Sequence, residues 1–535
     1  MQKVLTAAQM REVDRLTTER YGIPSIILME NAAHAVARVI TEKLGGSVKG
    51  KSILILCGKG NNGGDGAALA RILWTQGADC FVHLFGNVSE TKGDAMTNFD
   101  SLRRIDESRV TNGPNENCLV LYENSEFDSS DFIRDTDVVI VDALFGTGLS
   151  RQIEGELGNL LRKFPKWKTR LDSIFVAIDI PSGVSSDLEF AAEVAFPADV
   201  TVSFTAPKPA NVLTPTFRKG GELVVANIGS PRELIDAQPS QLFVAEVSDA
   251  AKWMADSRYS DDSYKNKRGH ALIIAGSETY SGAAVLSGNS AIRSGVGLVA
   301  LACLAEAKTE IASRILPEVI LATIGSKEFD ELAPKANAIA VGPGLSATDP
   351  DIESLVRKIV EERTRPVIVD AGALWFFNPP NGIPGRHADE GVRLPLILTP
   401  HEGEFMRLLG TDDKDAIKDR VTAVREFSQA NNVILVLKGE RVLIGHPDGR
   451  VVVNPTGNSG LGKAGNGDTL TGVLAGFCAQ AAAMDIDIFE TVVAAVYIAG
   501  LAGDIAEKKY GKRVMTASDV RECLSEAFST IEGGD

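Results

Sequence analysis

The stretch Gly457-Asn458-Ser459-Gly460-Leu461-Gly462-Lys463-Ala464-Gly465-Asn466-Gly467-Asp468-Thr469-Leu470-Thr471-Gly472 decides how the second half of this chain is read. Leu470, Val473, Leu474 and Phe477 follow at helical spacing, so a glycine-rich loop is expected to run straight into the N-terminus of a packed helix. Free backbone N–H groups and the positive end of the helix dipole make such a junction an anion site, and glycines let the backbone approach a phosphate. A carboxylate there would be repelled by phosphate unless it takes a proton from a hydroxyl that attacks it. The other reading of Asp468 is a helix cap.

Outward from that loop, short apolar runs repeatedly end in polar or glycine-rich turns. Ala271–Ala275 leads into Gly276-Ser277-Glu278-Thr279-Tyr280-Ser281-Gly282, Ile339–Val341 into Gly342-Pro343-Gly344, and Val367–Val369 into Asp370-Ala371-Gly372. Leu396–Leu398 leads into Thr399-Pro400-His401-Glu402-Gly403-Glu404, and Val433–Leu437 into Lys438-Gly439. Strands alternating with helical stretches predict a doubly wound α/β domain.

The first half repeats the architecture without repeating the motifs. Ile53–Cys57 reads as a buried parallel strand followed by Gly58-Lys59-Gly60-Asn61-Asn62-Gly63-Gly64-Asp65-Gly66, a second phosphate cradle. It matches neither the spaced-glycine dinucleotide fingerprint nor the P-loop. Val138–Val141 ends in Asp142-Ala143-Leu144-Phe145-Gly146-Thr147-Gly148, and Ile174–Ile178 ends in Asp179-Ile180-Pro181-Ser182-Gly183. Open α/β sheets bind ligands beyond the carboxyl ends of their strands, so these loops are expected to meet at one crevice. Lys208, after Val200–Phe204, reads equally as an anion contact or a solvated loop lysine. Thr6 to Leu44 carries helical spacing. A boundary falls between Ile228 and Val247, giving domains 1–235 and 236–535.

The whole composition narrows the function. A hydrophobic content of 44% describes an ordinary globular core. A net charge of -16 and a pI of about 5.0 argue against nucleic-acid partners and anionic membrane surfaces. The N-terminus lacks an apolar signal region and no stretch reads as apolar for the ~20 residues of a membrane span, so a cytoplasmic location is expected. Six scattered cysteines suggest neither a disulfide framework nor a zinc site.

The second half resembles the ribokinase-like superfamily, most closely its carbohydrate-kinase-like branch, through Gly342-Pro343-Gly344, Pro400-His401-Glu402-Gly403-Glu404, Gly457-Asn458-Ser459-Gly460 and the Gly-x-Gly-Asp type loop at Gly465-Asn466-Gly467-Asp468. The first half is similar to the epimerase domains of NAD(P)H-hydrate repair through Asn61-Asn62-Gly63-Gly64-Asp65, Asp142 to Gly148 and Asp179 to Gly183. In this order they resemble the bifunctional NAD(P)H-hydrate repair family. The fold implied is α/β with two doubly wound domains, an N-terminal Rossmann-like three-layer sandwich and a C-terminal ribokinase-like domain.

The resemblance implies two reactions on NADHX and NADPHX, which are NADH and NADPH hydrated at C6 of the nicotinamide. The first domain would interconvert the R and S epimers, and the second would dehydrate the S epimer using ADP or ATP, with Mg²⁺. Asp179 and Asp468 are the implied catalytic carboxylates. Epimerase contacts carry over to Asn61, Asn62, Gly63, Gly64 and Asp65, to Gly146, Thr147, Gly148, Leu149, Ser150, Arg151 and Gln152, and to Asp179; a K⁺ site carries over to Asn62, Asp142 and Ser182. Dehydratase substrate contacts carry over to Ala284, Gly344, His401 and Asp468. Nucleotide contacts carry over to Lys438, Gly439, Glu440, Arg441, Val442, Gly465, Asn466 and Gly467. Related enzymes imply a homo-oligomer. Ala464, Thr469 and Gly372 depart from the family pattern. The competing reading is a small-molecule kinase for a vitamin precursor with a regulatory dinucleotide-binding N-terminal domain.

Overall fold

The computed structural model describes residues 1–108, 117–123, 138–169, 173–188, 190, 192–384 and 395–533. The chain divides into two compact units, Lys3–Ser240 and Gln241–Asp535, with Met1–Gln2 grouped with the second.

In the N-terminal unit the helical spacing of residues 6 to 44 resolves into two helices, Ala7–Tyr21 and Ser25–Lys43. Thr6 opens the first with a capping box to Gln9, and Gly22, at φ 66°, ends it in the left-handed conformation. Seven strands form one parallel sheet in the spatial order Leu119–Glu123, Asp79–Leu84, Ser52–Cys57, Val138–Ala143, Ile174–Ile178, Val200–Phe204 and Glu222–Ala226. Chain order reverses between Ser52–Cys57 and Val138–Ala143, and the crevice outside that reversal is where a doubly wound sheet holds its ligand. Both faces are covered, one core gathering Ile53, Ile55 and Val141, the other Leu54, Leu56 and Phe175.

One expectation shifts. The helix after Ser52–Cys57 begins at Asn61, so Asn61 to Asp65 occupy its first turns rather than a loop. Gly63 and Gly64 serve packing there: a Cβ on Gly63 would stand 1.8 Å from the Gly58 carbonyl oxygen.

The C-terminal unit is built on one large sheet, ten strands of which lie wholly within it among the described residues. Its parallel centre runs Ile434–Leu437, Leu396–Leu398, Val367–Val369, Ala338–Val341, His270–Ile274, Leu298–Cys303 and Val319–Thr323. Leu443–Gly445 and Val451–Val453 continue it antiparallel, and Leu242–Val244 pairs parallel with the last of these. The order reverses between Ala338–Val341 and His270–Ile274. Helices Ser281–Ile292, Asn466–Met484 and Ile488–Tyr510 contribute to the main core.

Ile488–Tyr510 corrects one expectation from the sequence. With a mean hydropathy of 1.7 it is long and apolar enough to span a bilayer, contrary to the expectation that no stretch is. Its Val492, Val493, Ala494, Ile498 and Ala502 instead fill the core of the unit.

Candidate active sites

In the N-terminal unit Asp179 follows the strand Ile174–Ile178 at φ 66°, a left-handed conformation that aspartate tolerates and most residues avoid. This turn aims the carboxylate back across the strand ends. Oδ1 accepts hydrogen bonds from Lys208 Nζ at 2.6 Å and Ser203 Oγ at 3.3 Å. Oδ2 faces the next loop, since a Cβ on Gly146 would lie 3.2 Å from it and 3.1 Å from Asn62 Oδ1. The structure thus brings Asn62, Gly146 and Asp179 together, as the crevice argument expects.

Lys208 is neither solvated nor free for a ligand. It is 1% exposed, and its ammonium donates to Asp179, to Ser203 Oγ and to the Phe204 carbonyl, both at 3.0 Å. Asp65 stands in the same field: desolvation, with Asp179 and Asp14 adding repulsion and Lys208 opposing, pushes its carboxyl well above the usual range. Thr147 and Leu149 are half-buried, while Gly148, Ser150, Arg151 and Gln152 lie exposed on the same loop; Asn61 is exposed at the helix start.

Asp142 and Ser182 are fully buried and mutually bonded. Ser182 N–H donates to Asp142 Oδ2 at 2.7 Å and Ser182 Oγ to Oδ1 at 2.6 Å, while Leu144 N–H donates to Oδ1 at 3.2 Å. Asp142 therefore caps its turn and anchors the Ser182 loop at once. Burial pushes its carboxyl up to about 6 despite these bonds. No ion pair to it is found among the described residues. A buried carboxylate without a counter-charge, beside hydroxyl and amide oxygens, suits a hard monovalent cation. The buried Asn62 Nδ2 also has no partner among the described residues, which leaves that amide able to serve a ligand.

In the C-terminal unit the glycine-rich loop meets its helix as the sequence predicts. Gly465, at φ 91°, is the N-cap of Asn466–Met484 and no side chain caps it. Asp468 sits in the first turn with its carboxylate uncommitted to a cap, so the capping reading falls. Its carboxyl is pushed up to about 6 by burial and by Asp370, with Lys438 opposing. Lys438, at the end of Ile434–Leu437, donates to Asp370 Oδ1 at 2.8 Å. Thr471 Oγ1 donates to Asp370 Oδ2 at 2.7 Å. Burial alone would raise the Asp370 carboxyl, but Lys438 and the Thr471 and Thr399 hydroxyls hold it below the usual range.

His401 is the N-cap of Glu402–Leu409: Nδ1 accepts from the N–H groups of Gly403 and Glu404, and Glu404 accepts from His401 N–H at 2.8 Å. Its ring remains 55% exposed, free to touch a ligand while capping. Gly344 approaches the start of helix Ser281–Ile292, where a Cβ on it would lie 3.1 Å from that of Ala283, whereas Ala284 is fully buried with its Cβ turned towards Gly276. Gly439 and Glu440 are exposed and Arg441 and Val442 half-buried in the turn after Ile434–Leu437.

Two of the three departures from the family pattern, Ala464 and Gly372, find physical reasons, and Thr469 does not. Ala464 avoids positive φ, which falls on Gly465. Any side chain at Gly372 would start 2.2 Å from the Leu345 carbonyl oxygen. Thr469 is 3% exposed and its hydroxyl has no partner among the described residues.

Sequence reasoning left Lys208 open and missed Asp370, Thr471 and Ser203 as members of these clusters. Asp370 carried a signal, a strand-end aspartate aligned with the others. Thr471 and Ser203 carried none.

Two doubly wound units, each with a carboxylate at its strand-end crevice and the second with a helix-terminal anion site, define a two-domain metabolite enzyme of the α/β class. Residues 25–210 match the family described as YjeF-related protein N-terminus and residues 271–526 that described as NAD(P)H-hydrate dehydratase. The bifunctional NAD(P)H-hydrate repair enzyme Nnr of Moorella thermoacetica is 34% identical over 99% of this chain and 97% of its own length. That of Thermofilum pendens is 34% identical over the same shares. The chain belongs to the family of bifunctional NAD(P)H-hydrate repair enzymes, with an epimerase domain followed by a dehydratase domain. The kinase reading is thereby set aside. Among solved structures, the ADP/ATP-dependent NAD(P)H-hydrate dehydratase of Bacillus subtilis, co-crystallised with ATP/Mg²⁺, is 30% identical over 54% of this chain and 98% of its own, with a TM-score of 0.47.

Proposed function

We propose that Asp179 and Asp468 are the two catalytic carboxylates of this repair enzyme, one in each domain. In the epimerase, Asp179 Oδ2 moves the proton that inversion at C6 requires. Its partner oxygen is held by Lys208 and Ser203, which keeps the reacting oxygen aimed at the crevice. Asn61 to Asp65 and Gly146 to Gln152 hold the dinucleotide, with exposed Arg151 suited to its phosphates. Asn62, Asp142 and Ser182 would hold K⁺, which supplies positive charge beside the bound substrate.

In the dehydratase, Asp468 takes the proton of the C6 hydroxyl as that oxygen attacks the terminal phosphorus of ADP or ATP. The O–P bond forms, the bridging P–O bond breaks, and AMP or ADP leaves. N–H groups of Gly465, Asn466 and Gly467 meet the charge on the phosphoryl oxygens. Mg²⁺, when bound with the nucleotide, neutralises further charge. The ring nitrogen then pushes out phosphate with the C6–O electron pair, and loss of the C5 proton restores NADH or NADPH. Lys438 to Val442 contact the nucleotide, while Ala284, Gly344 and His401 contact the hydrated nicotinamide. The enzyme acts as a homo-oligomer in the cytoplasm.

The observation that carries the reading is Asp468 in the first turn of a helix opened by a left-handed glycine, with no cap to make. Purified S epimer with Mg²⁺ and ADP, or ATP, tests it through the absorbance of reduced nicotinamide. Wild-type enzyme recovers NADH only with nucleotide, and Asp468→Asn does not. Recovery by Asp468→Asn at the wild-type rate contradicts the proposal.

A further inference from the structure

The ion pair of Lys438 and Asp370 lies at the ends of two strands of one parallel sheet and beside the helix that carries Asp468. Asp370 is 1% exposed and tied on both oxygens, Oδ1 to the Lys438 ammonium and Oδ2 to the Thr471 hydroxyl. Thr471 is on the Asn466–Met484 helix one turn beyond Asp468. A Cβ on Gly467 would lie 3.5 Å from Lys438 Nζ and 3.9 Å from Asp370 Oδ2, so the pair sits directly at the helix N-terminus.

The ammonium has three donors. Among the described residues its one hydrogen bond goes to Asp370. Glu404 Oε2 is 3.9 Å from Nζ, beyond hydrogen-bond distance, and accepts from the His401 N–H. Two donors therefore remain beside the anion hole. Lysine's long stem is flexible and holds no position by itself.

We propose that Asp370 is a positioning residue of the dehydratase, fixing the Lys438 ammonium at the helix N-terminus so that it meets the transferring phosphoryl group together with the backbone N–H groups of Gly465 to Gly467. The inference rests on the phosphorylation route above. Charge builds on the non-bridging oxygens as the hydroxyl attacks, and a fixed cation there stabilises the transition state more than the bound substrate. Asp370 touches no reacting atom. It acts through Lys438, and Thr471 ties it to the helix that carries Asp468.

A double-mutant cycle in the full chain tests this, with dehydratase kcat and KM on the S epimer as readout. Asp370→Asn and Lys438→Met each lower kcat by about 100-fold, with KM for the hydrated dinucleotide changed by less than roughly twofold. The double variant D370N/K438M removes both buried charges, so it leaves no unpaired ion to unfold the domain. Its kcat is expected to equal that of Lys438→Met alone, because Asp370 has nothing to position once the ammonium is gone. Losses that multiply, a kcat for Asp370→Asn near wild type, or a loss confined to KM would overturn the assignment. Asp468→Asn, run in parallel, separates this from the underlying route: turnover retained by that variant sinks the route itself, whatever the cycle gives.

Discussion

Asp468 concentrates the dehydratase argument at a single carboxyl. Burial and the neighbouring Asp370 raise it from an ordinary 3.8 to about 6, so it is a stronger base than an exposed aspartate yet ionised at neutral pH. The kcat/KM profile on the S epimer should have an acid limb near pH 6 and fall roughly tenfold per pH unit below it; a limb near pH 4 would contradict the assignment. Stability takes the opposite sign. The folded-state pKa lies above the unfolded one, so ionising Asp468 costs stability above pH 6, and that cost is relieved as pH falls from 6 towards 4. Its neighbour Thr469 buries a hydroxyl that has no partner among the described residues. Thr469→Val should stabilise the C-terminal unit by about 1 kcal/mol, read as a higher denaturant midpoint. These features differ in legibility. Asp179, Asp468 and Asp370 were readable as strand-end or helix-start carboxylates, whereas the buried Lys208 looked like any loop lysine. Its partner is 29 residues away along the chain and only the fold joins them.

Helix Asn466–Met484 is the element that places Asp468, and its position depends on a close approach to Ser281–Ile292. A Cβ on Gly472 would stand 2.1 Å from both the Ser287 carbonyl oxygen and Ser290 Oγ. Ser287 Oγ also donates to the Asp468 carbonyl at 3.0 Å, tying the first turn to the same neighbour. Gly472→Ala should therefore push the helices apart, at a cost of about 1–3 kcal/mol, and misplace Asp468. Dehydratase activity and the unfolding midpoint of the C-terminal unit should both drop while epimerase activity holds; an unchanged dehydratase would refute the packing argument. Strands fully buried in a parallel sheet, such as Leu396–Leu398 and Val367–Val369, were legible because they read as continuous apolar runs. Asp79–Leu84, interrupted by His83, and the three-residue antiparallel pair Leu443–Gly445 and Val451–Val453 were not, since short or mixed runs lack periodicity.

Each of the two units has its own core and its own crevice, which makes their chemistry separable. Asp179→Asn should abolish epimer interconversion and leave dehydration of the S epimer at the wild-type rate, with Asp468→Asn doing the reverse. Because the S epimer is a free small molecule, mixing the two variants should restore repair of an epimer mixture. Failure of the mixture, with each variant retaining its other activity, would show that the two sites work only within one chain. The organisation as two α/β domains was legible from the renewed strand-and-glycine pattern after Val247. The apolar length of Ile488–Tyr510 was passed over in the sequence, and its place in the core follows only from the fold, since hydropathy alone does not say whether a helix lies in a core or a bilayer.

The central claim, two successive reactions on hydrated NADH in one chain, is tested most directly with the R epimer alone. Wild-type enzyme supplied with ADP or ATP, Mg²⁺ and K⁺ should convert all of it to NADH, far faster than uncatalysed epimerisation allows, and Asp179→Asn should fall back to that uncatalysed rate. Conversion by wild type no faster than the uncatalysed rate, while the S epimer is still dehydrated, would contradict the account.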